Sequence, residues 1–330
     1  MNLQSPQARG IEPLLSVIVI TPDSYATVRR TVGYLKQQTI RDRMELVFVA
    51  PASDTFKPDP EDVGCFASYQ TVEHGPVFSS SAARAAGTRA ARSPLVVMAE
   101  DHCYAEPEWA EALVRAHDQP WAGVGPAIRS ANPDTVTSQA NLVIEYGPWL
   151  DPVAGGEHPH IPGHNSCYKR EVLLPFGESL GEWLEAESVL QWHLQSQGHR
   201  FAIEPRAKVR HENFARLAPS IKLRFYGGRL FAARRARQWS LGRRALFAVA
   251  SPLIPVVRWL RCISAATRAN GGTPPWRMLP MMAFLLACDG AGECVGYLAG
   301  AGAAMRRVSD MEFHRYRYHD ARGEDAGRPS

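Results

Sequence analysis

Glu100, Asp101 and His102 follow the apolar run LVVMA (Leu95–Ala99) and precede the Pro107-Glu108-Trp109 turn. Two carboxylates and an imidazole in adjacent positions are candidate ligands for a divalent cation. Carboxylate oxygens suit Mg2+ and Mn2+, and an imidazole favours borderline metals, so Mn2+ is the better match. The bland alternative is that Glu100 or Asp101 caps the turn before Pro107. A second acidic group, Glu182, Glu185 and Glu187, precedes a helical pattern in which Leu190 and Leu194 share one face and Gly198 stands as the C-cap. The helix dipole favours carboxylates at that start. These three therefore either stabilise the helix or offer a proton acceptor.

Elements of two kinds must position these groups. Leu14 to Ile20 and Glu45 to Val49 are short, β-branched apolar runs that predict buried strands, with a helix over Thr27 to Gln38 between them. Ser80 to Ala91 predicts a helix of small residues with arginines, and Leu95 to Ala99 the next strand. Strand, helix and strand in this order predict an α/β fold with a parallel sheet. Ligands of such sheets bind outside the carboxyl ends of the strands, where Glu100-Asp101-His102 falls.

The order of these features resembles an inverting family 2 glycosyltransferase of the GT-A type, over roughly residues 14 to 215. SAARAAGTRAARSPLVVMAEDH is similar to the family's helix leading into the strand that ends in an Asp-x-Asp motif. HPHIPGHNSCYKREVLLPFGESLGEWLEAESVLQWHLQSQGHRF, from His158 to Phe201, resembles its acceptor-side segment. The resemblance implies a GT-A fold, Rossmann-like with a mostly parallel sheet flanked by helices, a nucleotide-sugar donor and a divalent metal, Mn2+ or Mg2+.

It also implies roles for individual residues. Glu100, Asp101 and His102 stand in the Asp-x-Asp places, a Glu-Asp-His departure from the pattern, with Glu100 and Asp101 at the donor and Glu100 and His102 as metal ligands. His211, in the matching closing strand, completes the metal or diphosphate site, although a lone histidine is more often structural. Thr21, Pro22 and Asp23 correspond to the loop that packs on the nucleotide. Asp54 is the one acidic residue near the place of the base-reading pair, and reads equally well as a turn residue. Arg84 can reach a phosphate or remain a solvated helix arginine. His164, Asn165 and Trp183 fall on the acceptor side. Counting back from Gly198, Glu187 matches the base that deprotonates the acceptor hydroxyl, with Glu185 as runner-up.

Charge divides the chain. The protein has 330 residues and a net charge of +4, yet no Asp or Glu lies between Asn213 and Cys288. Thirteen Lys or Arg fall there, which leaves the remainder at −9. Ala245 to Ile263 and Met278 to Met305 are apolar but interrupted by Pro252, Pro255, Arg258, Asp289 and Glu293, short of the ~20 clean apolar residues a span needs. Basic residues beside apolar helices are drawn to anionic lipid, and the apolar stretches argue against nucleic acid as the partner. The expected organisation is an N-terminal tail (1–13), a glycosyltransferase domain (14–215), a basic, apolar, membrane-associated helical region (216–305) and a polar tail (306–330). Six scattered cysteines without zinc-like spacing predict free thiols in a reducing compartment. The N-terminus carries no apolar signal segment.

These features predict a transferase on the cytoplasmic face of the cell membrane. It would move a sugar from a nucleotide donor to a lipid-linked or polysaccharide acceptor, with inversion. The eroded motifs leave open a non-catalytic membrane scaffold of the same fold. A nucleotidyltransferase would need a glycine-rich loop after the first strand, and TPDSYATVRR has no glycine.

Overall fold

The structure, a computed structural model, describes residues 12–318 apart from Ser53 and Pro274. The chain runs β1 (Leu15–Ile20), α1 (Tyr25–Leu35), β2 (Met44–Ala50), α2 (Pro60–Val63), β3 (Ser68–Glu73), α3 (Ser80–Ala90), β4 (Leu95–Ala99), β5 (Cys103–Ala105), α4 (Trp109–Ala116) and β6 (Gly123–Ser130). Next come α5 (Val136–Tyr146), β7 (Gly156–Glu157), β8 (Cys167–Lys169), α6 (Arg170–Leu173), α7 (Leu180–Trp183), α8 (Glu187–Ser196) and β9 (Phe201–His211). The helices α9 (Leu217–Arg235), α10 (Leu241–Ala250), α11 (Leu253–Ala269), α12 (Leu279–Ala299) and α13 (Ala304–Phe313) follow. The described residues divide into two compact units, 12–129 with 154–210 and 130–153 with 211–318.

In the first unit every residue of β1, β2 and β4 is buried, as their predominantly apolar sequences require of strands covered on both faces; the two polar exceptions, Ser16 and Glu45, hydrogen-bond each other across β1 and β2. β1 pairs in parallel with β2 and β4, and β2 with β3. The sheet order is β3-β2-β1-β4-β8-β6-β9-β5, with β7 on β9. β8 runs antiparallel to both β4 and β6, so the mostly parallel sheet expected from sequence is a mixed one. Runs of apolar residues report burial but not strand direction, and β8 is a three-residue strand entered from β7 and the loop 158–166 rather than directly from a helix. Gly87 explains the small residues of α3: a Cβ there would stand 2.4 Å from Ile18 Cγ2, so the helix lies directly on β1. Gly198, with φ of 89°, follows α8 in the left-handed conformation expected of its cap.

In the second unit α9 and α12 meet backbone to backbone. A Cβ at Gly292 would lie 2.0 Å from Phe225 O, one at Gly296 2.3 Å from Arg229 O, and one at Gly228 2.2 Å from Asp289 O. Asp289 and Glu293 of α12 are buried, and both pair with Arg258 of α11. The apolar stretch from Ala245 to Ile263 becomes α10 and α11, bent by 57° at Ser251-Pro252. Trp276–Ala299, 24 residues counting the 3-10 turn before α12, is the single helix among the described residues long and apolar enough to cross a membrane. The segment read as a polar tail contains α13, whose Met311 packs with Phe214 and Leu223, and residues 319–330 lie outside the described residues. All six cysteines are free thiols.

Candidate active site

Because β1, β2 and β4 run parallel, Thr21, Pro51 and Glu100 leave the sheet along one edge. Thr21 is buried and tied into that edge: its N–H donates to Val49 O (3.0 Å), and its Oγ1 accepts from the Asp23 N–H (3.1 Å) and bonds Thr27 Oγ1 (2.7 Å). Pro22 and Asp23 are half-buried on the loop, and Asp54 is exposed beyond β2.

Glu100 is a buried carboxylate held from two directions. Asn165 Nδ2 donates to its Oε2 (3.0 Å), and the Glu100 N–H donates to Asn165 Oδ1 (3.3 Å). Asn165 manages both because it sits at φ 59°, a left-handed conformation that asparagine adopts more readily than most residues. Its own N–H donates to Met98 O (2.9 Å), anchoring the turn to β4. The other oxygen, Glu100 Oε1, lies 3.0 Å from His164 Nδ1 and 3.5 Å from His102 Nε2.

His164 continues the chain. Its Nε2 lies 3.0 Å from Glu187 Oε1, which also accepts from Arg84 Nη1 at 2.8 Å. Glu100, His164, Glu187 and Arg84 thus alternate in charge along one continuous line. Burial pushes the His164 pKa down and Arg84 adds to that, but Glu100 and Glu187 outweigh both and the net shift is upward. Burial likewise raises Glu187, yet His164 and Arg84 prevail and bring it down to about 2. The favoured state is an imidazolium between two carboxylates. Gly163 makes room for it, since a Cβ there would come within 2.8 Å of Glu187 Cδ.

Of the three clustered acids, Glu187 opens α8 and is the one seated between His164 and Arg84. Glu182 lies on α7 and Glu185 in the join between the helices, so the expected cluster of three on the first turn of α8 is a single residue. The sequence gap of three residues between α7 and α8 left no periodicity break to show this. Trp183 is not drawn into the charged line: its ring lies tilted against His193 (4.6 Å) and edge-on to Phe176 (5.3 Å) in a cleft of about 580 Å³ also lined by Val172, Gln197 and His199. His211 belongs to the second unit, where its Nδ1 bonds Asn213 Oδ1 (2.9 Å) and its ring lies 4.7 Å from that of Tyr146.

Within the first unit, Glu100 and His102 fit a divalent ion. Two ligands each ~2.1 Å from one ion, at tetrahedral to octahedral angles, stand about 3.0–3.4 Å apart, close to the separation of Glu100 Oε1 and His102 Nε2 at 3.5 Å. Asp101 Oδ1 bonds His102 Nδ1 at 2.7 Å, which turns Nε2 toward Glu100. A carboxylate behind the imidazole is the usual support of a metal-binding histidine. Asp101, expected at the donor, has its side chain engaged on His102, and its carbonyl accepts from Thr31 Oγ1 (2.7 Å). Sequence reasoning passed over Thr31; it placed Gly163 at the head of the Gly163-His164-Asn165 turn, but its close approach to Glu187 is visible only in the structure.

Comparison with known proteins bears on the family and the fold. Residues 16–174 match the family model described as Glycosyl transferase family 2. No curated protein matches the sequence. Among solved structures, the chain is similar to the mannosyltransferase PcManGT from Pyrobaculum calidifontis in complex with GDP-Man and Mn2+. The TM-score is 0.51 at 16% identity, over 87% of this chain and 88% of that one. At that identity the likeness establishes the fold, which is GT-A.

Proposed function

Residues 16–174 belong to glycosyl transferase family 2, and on that premise we propose that this glycosyltransferase moves a sugar from a nucleotide-sugar donor to a hydroxyl of a lipid-linked or polysaccharide acceptor, with inversion. The observation that carries the reading is the line Glu100–His164–Glu187–Arg84 beyond the carboxyl end of β4. It links a carboxylate suited to the donor's cation with one suited to the acceptor's proton. The complex of PcManGT with GDP-Man and Mn2+ supports the donor class and the ion.

Glu100 and His102 would hold the cation, Mn2+ or Mg2+, with Asp101 fixing the His102 tautomer. Bound there, the ion offsets negative charge gathering on the departing nucleoside diphosphate. The third expected ligand, His211, remains an assignment from sequence. Thr21, Pro22 and Asp23 would border the nucleotide, with Asp54 near its base. Glu187 is the proton acceptor: as the acceptor oxygen bonds the anomeric carbon and the bond to the diphosphate breaks, the hydroxyl proton passes to its carboxylate. Arg84 and His164 keep that carboxylate ionised and oriented. The basic, apolar helices from 216 to 305 support work at the cytoplasmic face of the cell membrane.

The test is calorimetric titration of UDP, GDP, CDP and dTDP into the protein with and without Mn2+, beside a Glu100→Ala/His102→Ala variant. Binding of one nucleotide that needs both Mn2+ and the intact pair is the expected result. Failure of a folded sample to bind any of them would leave the non-catalytic scaffold as the better account.

A further inference from the structure

We infer that α10 and α11 seat this chain in the headgroup layer of an anionic membrane, and that α12 does not cross it. The inference rests on the membrane reading above and decides its form. Leu253, Val256, Val257 and Leu260 recur at i, i+3, i+4 and i+7 on α11, and each is 49–67% exposed. On α10, Leu241, Leu246 and Val249 are 65–81% exposed. The residues α11 buries instead are the small Cys262, Ala265 and Ala266. These helices turn their larger apolar side chains outward, the reverse of what water selects.

Charge identifies what covers that face. Arg243, Arg261 and Arg277 are exposed along these helices and just beyond them, and no Asp or Glu lies between Asn213 and Cys288 to balance them. A second copy of the chain on this face would bring equal uncompensated charge against it, whereas an anionic lipid surface supplies the counter-charge and the apolar layer beneath it. Trp276, 70% exposed beside Arg277, is the residue pair favoured at that boundary.

Length and charge oppose a span. Alone, α10 with 10 residues and α11 with 17 fall short of a ~30 Å hydrocarbon core at ~1.5 Å per residue, and the two together, bent by 57°, would carry Arg243, Arg244, Arg258 and Arg261 into it. α12 is long enough, but it buries Asp289 and Glu293 and lies backbone to backbone with α9. A crossing by α12 would carry α9 into the bilayer with Arg224, Arg229, Arg234 and Arg235, charges that hydrocarbon opposes one by one. Within its unit α12 packs on α9, α10 and α11 instead.

The experiment is flotation of the full chain with phosphatidylcholine vesicles and with vesicles holding 30% phosphatidylglycerol, followed by alkaline carbonate extraction. Wild type floats with the anionic vesicles and is released by carbonate. Leu253→Glu/Val257→Glu and Arg243→Glu/Arg261→Glu each lower partitioning at least about tenfold, while far-UV circular dichroism and nucleotide binding stay unchanged because these side chains are exposed. Carbonate-resistant binding that survives Leu253→Glu/Val257→Glu overturns the interfacial seat and leaves membrane association standing. Absence of flotation in every mixture overturns both, and a dimer in solution that the double variant dissociates assigns the face to a second copy instead.

Discussion

Asn165 grips Glu100 by both of its ends, accepting from the Glu100 N–H at 3.3 Å and donating to Glu100 Oε2 at 3.0 Å. The grip fixes the direction of Oε1 toward His102. Asn165→Ala is expected to weaken Mn2+ binding by about 10–100-fold, the usual loss when a supporting hydrogen bond behind a ligand is removed. Asn165→Asp should do worse, because it sets a second carboxylate against Glu100. Calorimetric titration of Mn2+ in the presence of the preferred nucleoside diphosphate measures both.

Glu187→Gln keeps the shape of the side chain and removes its capacity to take a proton. Transfer should fall by about 10²–10⁴-fold with the dissociation constant for the donor little changed. Steady-state transfer assays against Glu185→Gln decide between the two acids: an inactive Glu185→Gln beside an active Glu187→Gln would reverse their roles.

Gly163 leaves 2.8 Å between a Cβ and Glu187 Cδ, a separation no real contact tolerates. Gly163→Ala must push the Glu187 carboxylate off His164 and Arg84. We expect transfer reduced by at least about tenfold through misplacement alone, with nucleotide and Mn2+ binding retained. Retained activity would show that this seat of Glu187 is not the working one.

His117 gives the fold an acid-sensitive point away from the charged line. Burial is the largest influence and lowers its pKa to about 4, against hydrogen bonding to the Cys167 carbonyl that works the other way. Folding therefore favours the neutral ring, and its contribution is present above pH 6.5 and lost as pH falls through 4. The loss amounts to about 3 kcal/mol on complete protonation. Denaturant unfolding at pH 7 and pH 4 should show a smaller drop for His117→Gln than for wild type.

Two glycines of the helical unit should respond in opposite directions. Gly227 on α9 has open space where a Cβ would go, so Gly227→Ala is expected to stabilise the unit by about 0.5–1 kcal/mol. Gly292→Ala, with Phe225 O in the way at 2.0 Å, should destabilise it by at least 1–3 kcal/mol. Thermal unfolding of the two variants measures the contrast.

The sequence alone determined that β1, β2 and β4 are buried strands, that β4 ends in Glu100-Asp101-His102 at the carboxyl edge of the sheet, that Gly198 closes α8, and that basic charge gathers after residue 213. Each of these is a local matter of side-chain period, backbone freedom or charge, readable within a few residues. Tertiary structure decided the rest. It set β8 antiparallel against β4, and so brought Asn165 onto Glu100 across 65 residues of chain. It brought Arg84 onto Glu187 across 103, and placed Glu187 at the start of α8, away from Glu182 on α7. It gave Trp183 to a separate aromatic cleft and laid α12 backbone to backbone on α9 through Gly292 and Gly296. Periodicity encodes how much of a residue is buried, but not against what: contacts between distant segments depend on strand order and direction, which the local pattern of one chain does not carry.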